Sequence, residues 1–263
     1  KLIGQGSFGQ VWIALDATNS PCALKLIHKR RTKEELFWKE FKGVQNYLPI
    51  SRSNLGLVTI LHVGVSENES FFYYTMELAD NIHGDSQEKD WSSYEAKSLS
   101  SQIRSSAAPC PLDQFHQISQ NLTNGLAHLH KKGLVHRDIK PSNVIFVNGS
   151  AKLADVGLVT LGEDASTFIG TTGYIPPEGP GTPAGDVYAL GKTLYEVLTG
   201  NSVQSFPSLP TLVGGTHPEE KLFAAFNLVI SQACTPNYLE RIKDGQSFQK
   251  ALSEANNTPS IPR

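Results

Sequence analysis

The sequence predicts an α+β fold of two lobes: a small antiparallel sheet with one main helix, then a larger, mostly helical lobe. Three observations predict it. Apolar residues alternate at period two through most of residues 1–78, the composition turns polar over 81–90, and beyond that apolar residues recur every three or four positions. A chain of 263 residues can bury a substantial core, and 39% apolar against 18% charged residues is a globular rather than a disordered balance. The reading is a single domain over 1–263, with a first lobe at about 1–79, a second at about 80–255 and a fraying polar tail over 256–263.

Each element follows from its local pattern. Residues 11–15 and 22–27 alternate on either side of a turn-rich 16–21, which reads as a hairpin. Over 33–47, Leu36, Phe37, Phe41, Val44 and then Leu48 stand near helical spacing with charges between them. Residues 58–65 and 71–78 form a second hairpin around the turn 66–70. The stretch 81–90 lacks periodicity and reads as an exposed loop, and nothing from Asn81 to Lys97 suggests a role. Over 113–132, Phe115, Ile118, Leu122, Leu126 and Leu129 step by three or four and Gly133 closes the helix; another runs from 184 to 199 and ends at Gly200.

Composition excludes several classes. The 23 Lys and Arg against 25 Asp and Glu leave a net charge of -2, so no basic excess points to nucleic acid. Three cysteines, far apart and odd in number, support neither a disulfide framework nor a zinc site, and the reducing cytosol is the expected compartment. No apolar run approaches the ~18 residues that span a bilayer. The chain starts at Lys1 rather than Met, so it reads as a domain from a longer protein, with membrane tethering left open to regions outside this fragment.

Three groups of residues carry chemistry. Gly4-Gln-Gly6-Ser-Phe-Gly9 is a G-x-G-x-x-G that runs into a strand and hairpin rather than a helix, which favours a two-stranded flap over phosphates; a plain glycine-rich turn is the bland alternative. In the next strand, period two puts Ala23, Lys25 and Ile27 on one face, so Val11 and Ala23 could roof an adenine while Lys25 reaches phosphates. An ammonium placed there needs a counter-charge, for which Glu40 is the first candidate and Glu35 the second. Finally, His136-Arg-Asp138-Ile-Lys140-Pro-Ser-Asn143 follows the long helix, and Asp155-Val-Gly157 lies twelve residues further on. Two carboxylates, an amide and a lysine at the ends of neighbouring short strands suit phosphoryl transfer, where positioning and charge do most of the work, and the oxygens of Asn143 and Asp155 suit Mg²⁺.

With Gly170-Thr171-Thr-Gly-Tyr-Ile-Pro-Pro-Glu178 and Asp186-Val-Tyr-Ala-Leu-Gly191 added, the set resembles, in order and spacing, the eukaryotic-like (Hanks-type) serine/threonine protein kinases, in an idiom similar to the bacterial members. The resemblance implies a bilobal protein-kinase-like fold, ATP with Mg²⁺ (Mn²⁺ as the alternative ion), and a protein substrate with a Ser or Thr acceptor. It implies no nucleic acid, and transient self-association for autophosphorylation. Asp138 would orient the substrate hydroxyl and Lys140 would neutralise the γ-phosphate. Asn143 and Asp155 would hold the metal, and Lys25, paired to Glu40, would clamp the α- and β-phosphates. Met76 would be the gatekeeper, with Glu77, Leu78 and Ala79 as the hinge against adenine. Thr171, with Thr172 as competitor, would tie the substrate loop to the catalytic loop. Glu178 would pair with Arg241, which could otherwise be a solvated surface arginine, and Asp186 would anchor the catalytic loop.

The pattern departs at Val156, where the family usually has Phe in a stack with His136, Val44 and about Ile60. Arg137 suggests control by phosphate on Thr160, Ser166 or Thr167, or else a purely structural role. An ATP-binding pseudokinase or scaffold and a small-molecule kinase are the rival classes; Lys140 and 171–178 speak for a protein substrate. His128 and His130, two apart on a helix, point to different faces and do not make a metal site.

Overall fold

The computed structural model describes residues 1–6, 9–31, 33–84, 91–105, 109–155, 160–161, 171–209 and 217–257. The first lobe is a five-stranded antiparallel sheet in the order β1-β2-β3-β5-β4, built from β1 (Leu2–Gly6), β2 (Gly9–Leu15), β3 (Pro21–His28), β4 (Ile60–Val65) and β5 (Phe71–Met76). Helix α1 (Glu34–Ser51) sits between β3 and β4 and buries Phe37, Glu40, Val44 and Tyr47. It runs one turn past the expected end because Pro49 is tolerated near its C-terminus. Phe37 and Phe41 pack edge-on against Phe72 of β5, which fastens α1 to the sheet.

The second lobe is built on helices. These are α2 (Leu99–Ser105), α3 (Leu112–Lys131), α4 (Pro183–Thr199), α5 (His217–Ala233) and α6 (Gly245–Asn256). Phe115, Ile118, Leu122, Leu126 and Leu129 of α3 are all buried, at about 1.5–3 kcal/mol for each side chain so removed from water. Helix α4 is buried almost all round, which makes it the axis of the lobe. Thr182 caps its first turn by accepting from Gly185 N, Pro183 occupies the first helical position, and Gly200 ends it at φ 70°.

Between α3 and α4 lie β6 (Leu134–Val135), β7 (Val144–Val147), β8 (Ser150–Leu153) and β9 (Thr160–Leu161), with β6 pairing β9 and β7 pairing β8. These short ladders hold 136–143 and Asp155 under the sheet of the first lobe. Of the polar stretch read as a loop, 81–84 is described and 85–90 is not. Among the described residues no helix is long and apolar enough to cross a membrane.

Candidate active site

The roof of the site is made by strand register. Val11 pairs with Lys25, Ile13 with Ala23, Ala23 with Met76 and Lys25 with Tyr74, so Val11, Ala23, Lys25 and Met76 share a sheet face. Gly9, at φ 140°, must be glycine: a Cβ there would lie 2.2 Å from the Leu26 carbonyl oxygen. Gly6 pairs with Gly9 at the tip, Gly4 with Val11, and residues 7–8 lie outside the described residues. Under this face opens a cleft of about 570 Å³, with Asp138, Lys140, Asn143, Ile145 and Asp155 lining the other side.

Glu77, Leu78 and Ala79 line the cleft beyond Met76. The Glu77 carboxylate accepts from Lys152 Nζ at 2.7 and 2.9 Å and from Thr59 N at 2.9 Å, so what Glu77 offers the cleft is its main chain. The Ala79 carbonyl accepts from the Tyr94 hydroxyl at 2.9 Å.

Lys25 is 5% exposed and its ammonium stands 2.5 Å from Asp155 Oδ1, not against Glu40. The expected Lys25–Glu40 ion pair is therefore replaced here by Lys25–Asp155. Glu40 is buried, and its Oε1 has no hydrogen-bond partner. The physical reason is competition: two carboxylates face one ammonium, and Asp155, on the turn after β8 at φ 61°, reaches it first. Burial works against the Lys25 ammonium, but Asp155, with Tyr74 and Glu40, outweighs it and holds the pKa above the ordinary lysine value. Burial likewise opposes the Asp155 carboxylate, yet Lys25 keeps its pKa below the usual range. Desolvation, against the pull of the Lys25 charge, pushes Glu40 up to about 7.

The segment 136–143 is held from below. Asp186, near the start of α4, accepts from His136 N at 2.6 Å and Arg137 N at 2.8 Å, which stabilises Arg137 at φ 73°. His130 completes this anchor: its Nδ1 accepts from Gly245 N at 3.0 Å, so Nε2 carries the proton and donates to Asp186 Oδ2 at 3.1 Å. Burial opposes the Asp186 charge, but His130 and the backbone amide of His136 hold its pKa below the ordinary value.

Around Asp138 the donors are unevenly shared. Lys140 Nζ and Asn143 Nδ2 both donate to Oδ2, at 2.8 and 2.9 Å, whereas Oδ1 has the longer 3.3 Å contact from the Thr171 hydroxyl. Lys140 Nζ also donates to Thr171 Oγ1 at 2.7 Å, so the residue joined to 138–140 is Thr171. Further along, Arg241 is buried and donates to both Glu178 oxygens, at 2.5 and 3.1 Å, rather than lying solvated.

A Protein kinase domain model matches residues 1–211. The chain belongs to the protein kinase domain family. This kinase domain is 30% identical over 211 residues to Serine/threonine-protein kinase PknL of Mycobacterium tuberculosis, covering 76% of this chain and 48% of that protein. It is 26% identical over 212 residues to Serine/threonine-protein kinase PrkC of Bacillus subtilis, covering 76% and 30%. Over 280 residues it is 26% identical to Serine/threonine-protein kinases drp72 of Corynebacterium efficiens, covering 96% and 49%. The chain thus spans about half or less of the length of these relatives.

Sequence reasoning missed three participants in this kinase domain's cleft and its supports. His130 was set aside with the metal question, and its link to Asp186 crosses 56 positions. Glu196 accepts from the Tyr174 hydroxyl at 2.5 Å and from Val203 N at 2.8 Å, tying 171–178 to α4. Tyr94 sits in the stretch that carried no pattern. Of the other expectations, Val156, Ser166 and Thr167 lie outside the described residues, and Thr160 is described only as backbone in β9. Val44, Ile60 and His136 are each buried.

Proposed function

We propose that this kinase domain transfers the γ-phosphoryl group of ATP to serine or threonine hydroxyls of protein substrates, its own chain among them. The observation that carries the reading is that Lys25, Asp138, Lys140, Asn143 and Asp155, drawn from three separate stretches, line one cleft. Adenine lies between Val11 and Ala23 above and Ile145 below, along Glu77–Ala79 beyond Met76. The phosphates extend under Gly4–Gly9 toward Lys25.

Asp138 Oδ1, which among the described residues has only the longer contact from Thr171, accepts the hydrogen bond of the incoming alcohol and aims its oxygen at the γ-phosphorus. Lys140, already beside Asp138, meets the charge on the transferring group. Thr171 holds the substrate loop at this point, and Glu178 with Arg241 fixes the far end of that loop.

Asn143 and Asp155 fit a divalent cation. Both offer oxygen, and because the Asn143 Nδ2 is spent on Asp138, its Oδ1 is left as the ligand atom. Mg²⁺ takes few protein ligands and keeps its phosphates and waters, which two oxygen donors suit. When bound, the ion neutralises phosphate charge. Phosphate on Thr160, Ser166 or Thr167 would order the loop they share through Arg137.

The test is incubation with radiolabelled ATP of the wild type beside Asp138→Asn and Lys25→Met. Label in the wild type that falls by about 10²–10⁴-fold in Asp138→Asn supports transfer, and phosphoserine or phosphothreonine in the product identifies the acceptor. An unlabelled wild type that still binds ATP would make the domain a scaffold. Intact mass with peptide mapping after incubation with Mg-ATP should find phosphate in 157–170, and full activity with all three hydroxyl residues changed to Ala would remove the regulatory role.

A further inference from the structure

The register that builds the roof also places a tyrosine beside Lys25. Strand β5 puts Phe72, Tyr74 and Met76 on one face, opposite Ile27, Lys25 and Ala23 of β3. Phe72 meets Phe37 and Phe41 of α1, Met76 lines the cleft, and Tyr74 stands between them. Tyr74 is 0% exposed, and the Lys25 ammonium lies 5.9 Å from the centre of its ring.

The Tyr74 hydroxyl has no hydrogen-bond partner among the described residues. The other three buried tyrosines among those residues each donate to a carbonyl: Tyr47 to Val58 O at 3.2 Å, Tyr94 to Ala79 O at 2.9 Å and Tyr195 to Ser208 O at 2.5 Å. An unpaired buried O–H destabilises a fold, and Phe at this position would fill the same place without that cost, as Phe72 does two residues earlier. Packing gives no reason for the hydroxyl; a second arrangement of the site does. Its partner is close by. Glu40, buried on α1, also leaves Oε1 unpaired, and its charge acts on Tyr74 together with those of Lys25 and Asp155. Burial, against the Lys25 charge, holds the phenol above its ordinary pKa, so it meets a carboxylate as a donor. Lys25 holds Asp155 here, but a carboxylate oxygen that serves a divalent cation shares its charge and holds an ammonium more weakly.

Resting on the proposed binding of Mg-ATP by Lys25 and Asp155, we infer that Tyr74 is a positioning residue: with Asp155 serving the cation, its hydroxyl donates to the Glu40 carboxylate and holds it toward Lys25. The ammonium then keeps a counter-charge while it meets the phosphates.

The test is Tyr74→Phe, which keeps the ring and removes the hydroxyl. Calorimetric Kd values are measured for Mg-ATP and for adenosine, which has neither phosphate nor metal to disturb the Lys25–Asp155 pair, and melting curves are taken without nucleotide. The variant should melt at the wild-type temperature or up to about 5 °C above it. It should bind Mg-ATP about five- to tenfold more weakly, while adenosine binds the two proteins within about twofold. On a Glu40→Ala background the same change should cost Mg-ATP affinity less than about twofold. A variant that melts several degrees lower would show a hydroxyl already paired, equal weakening of both ligands would show a packing role, and unchanged Mg-ATP affinity would show none. An undiminished loss on Glu40→Ala would place the partner elsewhere, and each of these results overturns the inference. A wild type that binds no Mg-ATP would instead remove the reading beneath it.

Discussion

Lys25 faces two carboxylates and holds one, and the unheld one leaves a thermodynamic trace. Glu40 titrates near 7 in the folded chain against an ordinary 4.5, so between those values the folded state keeps a proton that the unfolded chain releases. Stability contributed by that proton is complete below 4.5 and is lost as pH rises through about 7. Glu40→Gln lacks this loss: thermal melts from about pH 5 to about pH 8 should show the variant gaining on the wild type, by at most about 3 kcal/mol. A gap that stays constant with pH would contradict the buried, weakly partnered placement of Glu40. Asp186 works with the opposite sign. Its lowered pKa contributes stability above the ordinary 3.8 that is lost on acidification. Asp186→Asn, which removes a buried charge serving two backbone amides and His130, should lower stability by about 3–5 kcal/mol in denaturant titrations.

Helices α3 and α6 meet backbone to backbone. A Cβ on Gly245 would lie 2.5 Å from Ala127 N and 2.7 Å from Leu126 C, neither of which can swing aside. Gly245→Ala should therefore cost about 1–3 kcal/mol and lower the melting temperature by several degrees in calorimetry. The hairpins, α1, α3 and α4 were legible from periodicity, with ends displaced by a turn or less. Helix α2 was not, because Leu-Ser-Ser-Gln-Ile-Arg-Ser has little apolar period; it starts on a reciprocal pair of bonds, Ser98 N to Ser101 Oγ at 2.9 Å and Ser101 N to Ser98 Oγ at 3.1 Å. Helices α5 and α6 were covered by the general expectation of a helical lobe, without bounds of their own.

The cleft is shared by both lobes, so a nucleotide in it stabilises the folded chain as a whole. At about 100 times its Kd, Mg-ATP should add roughly 2.7 kcal/mol, which for a chain of this size raises the melting temperature by about 5–10 °C. Differential scanning fluorimetry should find that rise in the wild type and most of it gone in Lys25→Met. An equal rise in the variant would place the nucleotide elsewhere.

Order and spacing of short strings along the chain were enough to specify the lobes, the family resemblance and the residue types at the phosphates, since these depend on local period and on which chemistry recurs. Choice among nearby partners depended on distance in space. Lys25 and Asp155 are 130 positions apart, and whether that carboxylate or Glu40 takes the ammonium turns on a backbone twist at φ 61°. Tyr94 became visible as a cleft residue only with 94–97 lying against 79–82, because a phenol in an aperiodic stretch has no pattern until a buried carbonyl stands 2.9 Å away.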